Sequence, residues 1–473
     1  MGTINSALSL TTGALDADQA ALSVVANNVA NANTTGYTVE TPDWQENQPI
    51  DVGGIQVGDG VTETGATSQR DLVLEARLDQ QQQLASASST RLTALDNIQA
   101  LFTPDSGSSS STAGDIGSDI TSFFDAFSSL ESDPTDNALR GQVLSSASTM
   151  AGDLSSAAKS LNSQSTALDQ EASGVVSQVN SLTGAIAQLN LQIQSTSPDA
   201  DAGTLEDQRQ QDLSQLSKLI GINQVSTENN GLSVTTTSGQ LLVSEGQSFQ
   251  LSAGTVNGVT DFFLGGADIT SQLATGGGQL GGYLTARDTD IPGALSSLDQ
   301  LAYSISTSVN AQNNSGTDLD GVTGTAANPL YIFNEPTTVA GSAANMSVTM
   351  TDPDQIAAAG AGSGTGDDSN AVAIANLAGQ TVVNGQTPIN YYSNFVSTLG
   401  ATVSEVQTEN TAQNASVTQL QTQNNALSSV NLNDEAAAMS TLESSYQAAS
   451  QVFTLLNTIM ASALNLGEET TVS

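Results

Sequence analysis

Residues 439–463 read MSTLESSYQAASQVFTLLNTIMASA, and their spacing decides the fold class. Met439, Leu442, Tyr446, Ala449, Phe453, Leu456, Met460 and Ala463 follow one another at alternating steps of 3 and 4. That is a heptad stripe on one face of an α-helix. Val452, Leu455 and Ile459 widen the apolar face beyond a two-helix seam. Each large side chain on it gains about 1.5–3 kcal/mol when buried. A chain that left this face in water would carry an apolar patch of the kind that marks an interaction site.

The opposite end carries a second helix. Over residues 3–32, Ile4, Leu8, Leu15, Leu22, Val25 and Val29 share one stripe, interrupted by Thr11 and Asp18. It is the more polar member of the pair. Asn and Gly in 31–36 tolerate the left-handed conformation that stops helices.

Between the ends, 37–69 is punctuated by Pro and Gly and reads as an extended linker with one hairpin. Helical periodicity covers 70–102, 116–130 and 134–161. A strict heptad stripe follows, from Ala172 through Val175, Val179, Leu182, Ile186 and Leu189 to Ile193. Pro198 and Gly203 end it, and a short helix covers 204–219. Residues 104–115 are rich in Ser and Gly and read as a flexible connection. Alternating segments at 222–275 predict a small β unit. Pro292 opens a helix over 291–313. Residues 320–390 read as loops with a strand at 344–350 and a short helix at 370–377. A long helix over 391–427 has a stripe that includes Asn410, Gln413 and Asn424, so it packs on one partner with wet patches. The expected fold is mainly α with small β parts. Terminal helices pair as a coiled coil around a discontinuous helical-bundle domain with small inserted β segments. The division is 1–36 plus 436–473 as the terminal coiled coil, 37–69 as linker, 70–221 plus 276–330 plus 391–435 as helical domain, 222–275 as β unit, and 331–390 as a short outer β/loop segment.

Composition removes most enzymatic readings. The 473 residues include no Cys and no His. Ser-His-Asp and Cys-His nucleophilic sites and His or Cys zinc sites are therefore excluded. Lys plus Arg number 8 against 48 Asp plus Glu, a formal net charge of −40, which argues against nucleic acid and anionic membranes as partners. All basic residues lie between Arg70 and Arg287, so both ends carry negative charge only. No segment approaches the roughly 18 apolar residues of a membrane span. The first residues lack the basic and apolar regions of a cleaved secretory signal, so export is expected through a route that reads an uncleaved terminus.

Motifs of possible chemistry have plainer readings. Asp318, Asp320 and Gly321 begin like a calcium loop, but the distal ligands are missing and a turn is favoured. The glycines of 276–282 lack the Lys of a phosphate loop and read as a chain turn. Asp367 and Asp368 read as solvated loop carboxylates. Trp44, the only Trp, reads as linker packing or a subunit contact. No catalytic, cofactor or metal site is expected.

The residues 26–37, ANNVANANTTGY, with Asn27, Asn28, Asn31, Asn33, Gly36 and Tyr37, resemble the N-terminal motif of the axial proteins of the bacterial flagellar rod, hook and hook–filament junction. Residues 429–438, SVNLNDEAAA, with 446–449, YQAA, resemble the matching C-terminal motif. The 58–61 segment GDGV with Arg70 and Asp71, the segments 123–127, 133–140 and 143–147, and 278–292 with its LGG, ARD and IP elements are similar to the junction branch of that superfamily. Asp318–Gly321 and Asp352-Pro353 add to the likeness. Thr35 stands where Pro is common, and Val39-Glu40 replace a usual basic-polar pair. The 329–391 segment is short for a full outer β domain.

The resemblance implies a non-enzymatic structural subunit, exported by the flagellar type III apparatus and polymerising at the hook–filament junction outside the cell. Implied partners are further copies of itself, the hook protein, a second junction protein or filament-side subunits, and an export chaperone. Leu8, Leu15, Leu22, Val25 and Val29 are expected to face Leu442, Tyr446, Phe453, Leu456 and Met460, ordering on incorporation into an open, heterologous array. Another axial subunit, of hook or distal rod, would lack the long 116–220 helical segment. A peptidoglycan hydrolase would need a catalytic carboxylate in a cleft-forming domain that the sequence does not show. A secreted adhesin would not need paired terminal motifs.

Overall fold

A computed structural model describes residues 2–52, 54–102, 115–196, 201–256 and 258–468. The predicted flexible connection, except for Asp115, and Pro198 fall outside these residues. The first helix, α1 (Gly2–Asn31), leads into a long ribbon. Its outer strands β1 (Glu40–Glu46) and β4 (Val61–Ser68) pair antiparallel with a bulge at Asp43/Trp44. A second hairpin, β2 (Ile50–Val52) with β3 (Ile55–Val57), sits at its tip. The predicted linker is thus a two-stage hairpin, and it packs along α1. Trp44 is exposed on it.

Helix α2 (Leu72–Ala100) starts where the Asp71 carboxylate accepts hydrogen bonds from the Val73 and Leu74 amides, at 2.9 and 3.1 Å. This satisfies two of the donors that a helix start leaves unpaired. Helix α3 (Ile116–Leu130) is capped by Asp115 in the same way. Then α4 (Asn137–Thr196) runs 60 residues without a break, about 90 Å at 1.5 Å per residue. The two periodic segments read separately are one helix. It is the spine of two hydrophobic cores.

The first core combines α2, α3, the N-terminal half of α4 (Val143 to Leu168), α8 (Ile291–Ser315) and α11 (Pro388–Ser428) with the intervening loops. Phe123, Phe127 and Phe333 are fully buried in it and meet edge-on or tilted at 5.5 Å. The second core sets the heptad stripe of α4 against α5 (Thr204–Leu219) and the β unit. That unit has a four-stranded sheet, β5 (Ile222–Ser226), β6 (Leu232–Thr236), β7 (Leu241–Ser244), β8 (Gln247–Ser248), in sequential order. A three-stranded sheet of β9 (Leu251–Val256), β10 (Val259–Leu264) and β11 (Ala267–Asp268) follows. The stripe therefore meets a sheet and a short helix, not a coiled-coil partner.

After α6 (Thr270–Ala274), Gly276 and Gly277 make the expected chain turn, while Gly278, Gly281 and Gly282 lie in helix α7 (Gly278–Thr285), which continues through a π-helical stretch, 286–290, into α8. The glycines are there for contact. A Cβ on Gly282 would stand 2.6 Å from the Ala87 carbonyl oxygen and 2.8 Å from the Thr90 Cβ, on α2. Gly282→Ala is expected to push α7 off α2 and cost about 2 kcal/mol, measurable by denaturant unfolding.

The 331–390 segment does not stand outside the bundle. It carries α9 (Ser342–Asn345) and α10 (Ser369–Ala375), and Phe333, Ile356, Ala357 and Ile374 are fully buried in the first core. The strand predicted at 344–350 reduces to one bridge, Phe333 with Val348. Polar side chains from the helices supply the missing ladder. Asn310 donates to the Phe333 carbonyl at 2.8 Å and accepts from the Ile332 and Phe333 amides at 3.0 Å. Asn313 joins the Leu330 carbonyl to the Ala357 amide, and Asp299 accepts from Gly341 and Ala343. Asp318 closes a turn by accepting from the Val322 amide at 2.7 Å, with Gly321 left-handed at φ 78°. Asp367 is not simply solvated: it accepts from the Gly360 amide at 2.7 Å. The last helix is α12 (Leu432–Glu468).

Candidate assembly site at the paired termini

Helices α1 and α12 pack along each other. On α12, Met439, Leu442, Ala449, Phe453, Leu456 and Met460 are half-buried, while Val452, Leu455, Ile459 and Leu464 are exposed. On α1, Val25 is buried, Leu8, Leu15 and Leu22 are half-buried, and Val29 is exposed; Tyr446 is exposed on α12. Thr11, which looked like an interruption, is buried because its hydroxyl donates to the Ala7 carbonyl at 2.7 Å. The pair covers one stripe of each helix except at Val29 and Tyr446, and leaves a second apolar face of α12 uncovered.

The asparagine motif is the node that joins this pair to the rest of the chain. Asn28 is 1% exposed. Its amide nitrogen donates to the Glu40 carbonyl at 2.8 Å and to Glu435 Oε1 at 3.2 Å. Its oxygen accepts from the Tyr37 hydroxyl at 2.8 Å and from the Glu40 amide at 3.0 Å. One side chain thus ties α1 to the ribbon and to the start of α12. Burial, with Glu40, Asp207 and Glu435 nearby, pushes the Tyr37 hydroxyl well above its ordinary value, so it stays a donor. Asn31 bonds back to Asn27 and accepts from Thr34, while Asn33 lies exposed in the turn that follows. Gly36 is left-handed at φ 79° and leaves room for Gln211, whose amide donates to the Thr35 carbonyl at 2.6 Å.

This geometry accounts for the departure at Val39-Glu40. Asn28 reads the backbone of residue 40, and the Val39 amide donates to the Ser428 carbonyl. Neither contact needs the side chain that Val39-Glu40 replace.

A polar joint lies beyond the node. The Thr38 amide donates to Asp207 at 3.0 Å, and the Ser68 amide to Asp201 at 2.5 Å. Arg70 reaches Glu75 and Asp207 at 3.3 Å and Glu206 at 3.5 Å. A cleft of about 440 Å³ opens here, lined by Arg70, Asp79, Asp207, Gln210, Lys218 and Asn424 among others. Sequence reading noted Arg70 only as part of a motif and missed Asp207, because its partners come from residues far away in the chain. The one signal available was an isolated cation between an anionic segment and a helix start.

Asp79 is buried in this cleft, accepting from Gln210 and Gln224 at 2.9 and 2.8 Å, and burial pushes its carboxyl up to about 6. The folded state therefore binds a proton that the unfolded chain releases at lower pH. Stability is lost as pH rises from the ordinary carboxylate range through about 6. Asp79→Asn is expected to raise stability by about 2 kcal/mol at pH 7.5 and to leave it unchanged at pH 3.5, as read by chemical denaturation.

Comparison with known proteins agrees with this architecture. The family described as "Flagellar hook-associated protein FlgK helical domain" matches residues 105–327, and "Flagella basal body rod protein" matches 8–38. "Flagellar hook-associated protein 1" of Salmonella typhimurium is 26% identical, over 96% of this chain and 98% of its own. The protein of that name from Bacillus subtilis is 26% identical over 96% of both. The Salmonella alignment spans 551 positions against 473 residues here, so that relative carries segments that this chain lacks. A solved chain, "The structure of the flagellar hook junction protein FlgK from Burkholderia pseudomallei", shares the fold with a TM-score of 0.63 at 18% identity, covering 74% of this chain and 99% of that one. With a helical-domain match, an N-terminal rod-motif match and full-length likeness all on one chain, the protein is similar over nearly its whole length to flagellar hook-associated protein 1.

Proposed function

We propose that this chain is a structural subunit of the bacterial flagellum that polymerises at the hook–filament junction and links hook to filament. The observation that carries the reading is the pairing of α1 with α12, which covers one stripe and leaves Val452, Leu455, Ile459 and Leu464 uncovered on the other face. A face of this kind needs neighbours. In a ring or helical array those neighbours are further copies, with hook protein on one side and a second junction protein or filament subunits on the other. Residues 1–36 plus 436–473 are then the assembling unit, with Leu8, Leu15, Leu22, Val25 and Val29 set against Leu442, Tyr446, Phe453, Leu456 and Met460. The two hydrophobic cores of the body support treating it as a separate unit that the termini carry. The helical-domain match over 105–327 favours the junction over a hook or distal-rod position.

The protein works as a building part, without catalysis, and acts outside the cell in the flagellum. Export proceeds through the type III route with an uncleaved terminus and a chaperone. The experiment is deletion of residues 1–30 or 436–473 in the native flagellated host. Hooks without filaments, and without the truncated chain, are the expected picture by electron microscopy. Normal filaments with the truncated chain incorporated would overturn the reading.

A further inference from the structure

The two hydrophobic cores stop short of the termini. Among the described residues, neither core includes a residue before Leu92 or after Val406. What holds the α1–α12 pair and its ribbon to the body is the polar joint: Thr38 on Asp207, Ser68 on Asp201, Arg70 on Glu206 and Asp207, Thr35 on Gln211, and Val39 on Ser428. The joint also encloses the 440 Å³ polar cleft. Polar contacts around a wet cleft resist tilting less than an interlocked apolar core does.

Its charges do not balance. The ribbon brings Glu40 and the turn before it Tyr37. The α12 start brings Glu435. Helix α2 and its approach bring Arg70, Glu75 and Asp79. Helix α5 and its approach bring Asp201, Glu206, Asp207, Arg209 and Lys218. Seven carboxylates thus face three cations. Glu40 stands across the joint from Asp201 and Asp207, and the space a Cβ on Gly203 would take is filled by the Glu40 carboxylate, 2.6 Å away.

We propose that this joint is a proton-operated hinge: Glu40, Glu75, Asp79 and Asp207 lock the paired terminal helices to the body when protons are shared among them, and let the pair swing when all four are ionised. Burial is the leading reason that Glu40, Glu75 and Asp207 hold their protons above the ordinary range, and Asp79 does so up to about 6. Closing the joint therefore takes up protons, and falling pH favours closure. The paired helices stay paired throughout, because their seam is apolar along its length apart from the Asn28–Glu435 hydrogen bond at one end.

The test uses the full chain, which has no Cys of its own. Spin labels go on Ser89→Cys in α2 and Ser445→Cys in α12, both exposed sites. Pulsed dipolar spectroscopy then gives the distance distribution at pH 5 and pH 8. A distribution at least twofold broader at pH 8 is expected. The same labels in a Glu40→Gln/Asp207→Asn background should give equal, narrow distributions at both pH values. Equal widths in the parent would overturn the proposal, and so would broadening that persists in the variant. Far-UV helicity checks the fold of the double variant, and Glu40→Gln alone, on the half-buried side of the joint, should show an intermediate width.

Discussion

Arg140→Ala is expected to destabilise the body by about 4 kcal/mol, enough to unfold a marginal domain. Arg140 is 1% exposed and makes no ion pair among the described residues. Its guanidinium donates instead to loop carbonyls. Nε reaches the Pro134 oxygen at 2.7 Å, and Nη1 reaches Ile356 at 2.7 Å, Pro353 at 3.3 Å and Asp354 at 3.4 Å. Truncation leaves these acceptors buried without donors and opens a cavity in the largest of the fully buried side-chain sites. Burial works against the charge, while Asp354 and Asp318 favour it from a distance. Arg140→Lys is expected to recover less than half of the loss, because an ammonium cannot spread donors over a planar fork. Denaturant unfolding of the purified chain reads both. A loss below 1 kcal/mol for the alanine variant would show that the loop holds itself.

Phe453→Asp is expected to abolish incorporation while leaving the body intact. Phe453 lies half-buried on the α12 stripe that α1 covers. The change removes roughly 2 kcal/mol of burial and places a carboxylate in an apolar seam. The surroundings make it worse: the terminal helices carry Asp16, Asp18 and Glu443 and no cation at all. Neighbouring charge therefore cannot compensate. The checks are rapid proteolysis of both ends, unchanged unfolding of the body, and loss of the chain from isolated hook–filament particles. Ser445→Asp, on the exposed side of the same helix, serves as the control and should incorporate normally. Equal incorporation of both variants would show that the seam does not hold the array.

Much of the fold is legible in local spacing. Helices at 72–100, 116–130 and 204–219 stand close to where helical periodicity puts them, because propensity and burial on one face act within one or two turns. The misreadings have a common cause. Gly278–Gly282 looked like a turn because local preference disfavours glycine in helices, but close approach of Gly278 to the Leu219–Ile220 backbone and of Gly282 to α2 overrides that preference. The 331–390 segment looked external because it lacks periodicity. It is internal because Asn310, Asn313, Asp299 and Arg140 satisfy its backbone from the side, at distances along the chain that no window spans.

The candidate site divides along the same line. The sequence by itself determined that both ends are amphipathic helices, that the C-terminal one is the more apolar, and that the chain lacks the residues for His or Cys chemistry. It also carried the motifs of a flagellar axial protein. Only the tertiary structure decided how those motifs are joined: Asn28 joins residues 12 and 407 positions away, and Arg70 and Asp207 meet across a joint that, among the described residues, lies outside both hydrophobic cores. The reason is physical. Periodicity is written by burial on one face of one element, so it survives in a linear string. A buried hydrogen-bond network is written by which elements meet, and that is settled only when the chain has folded.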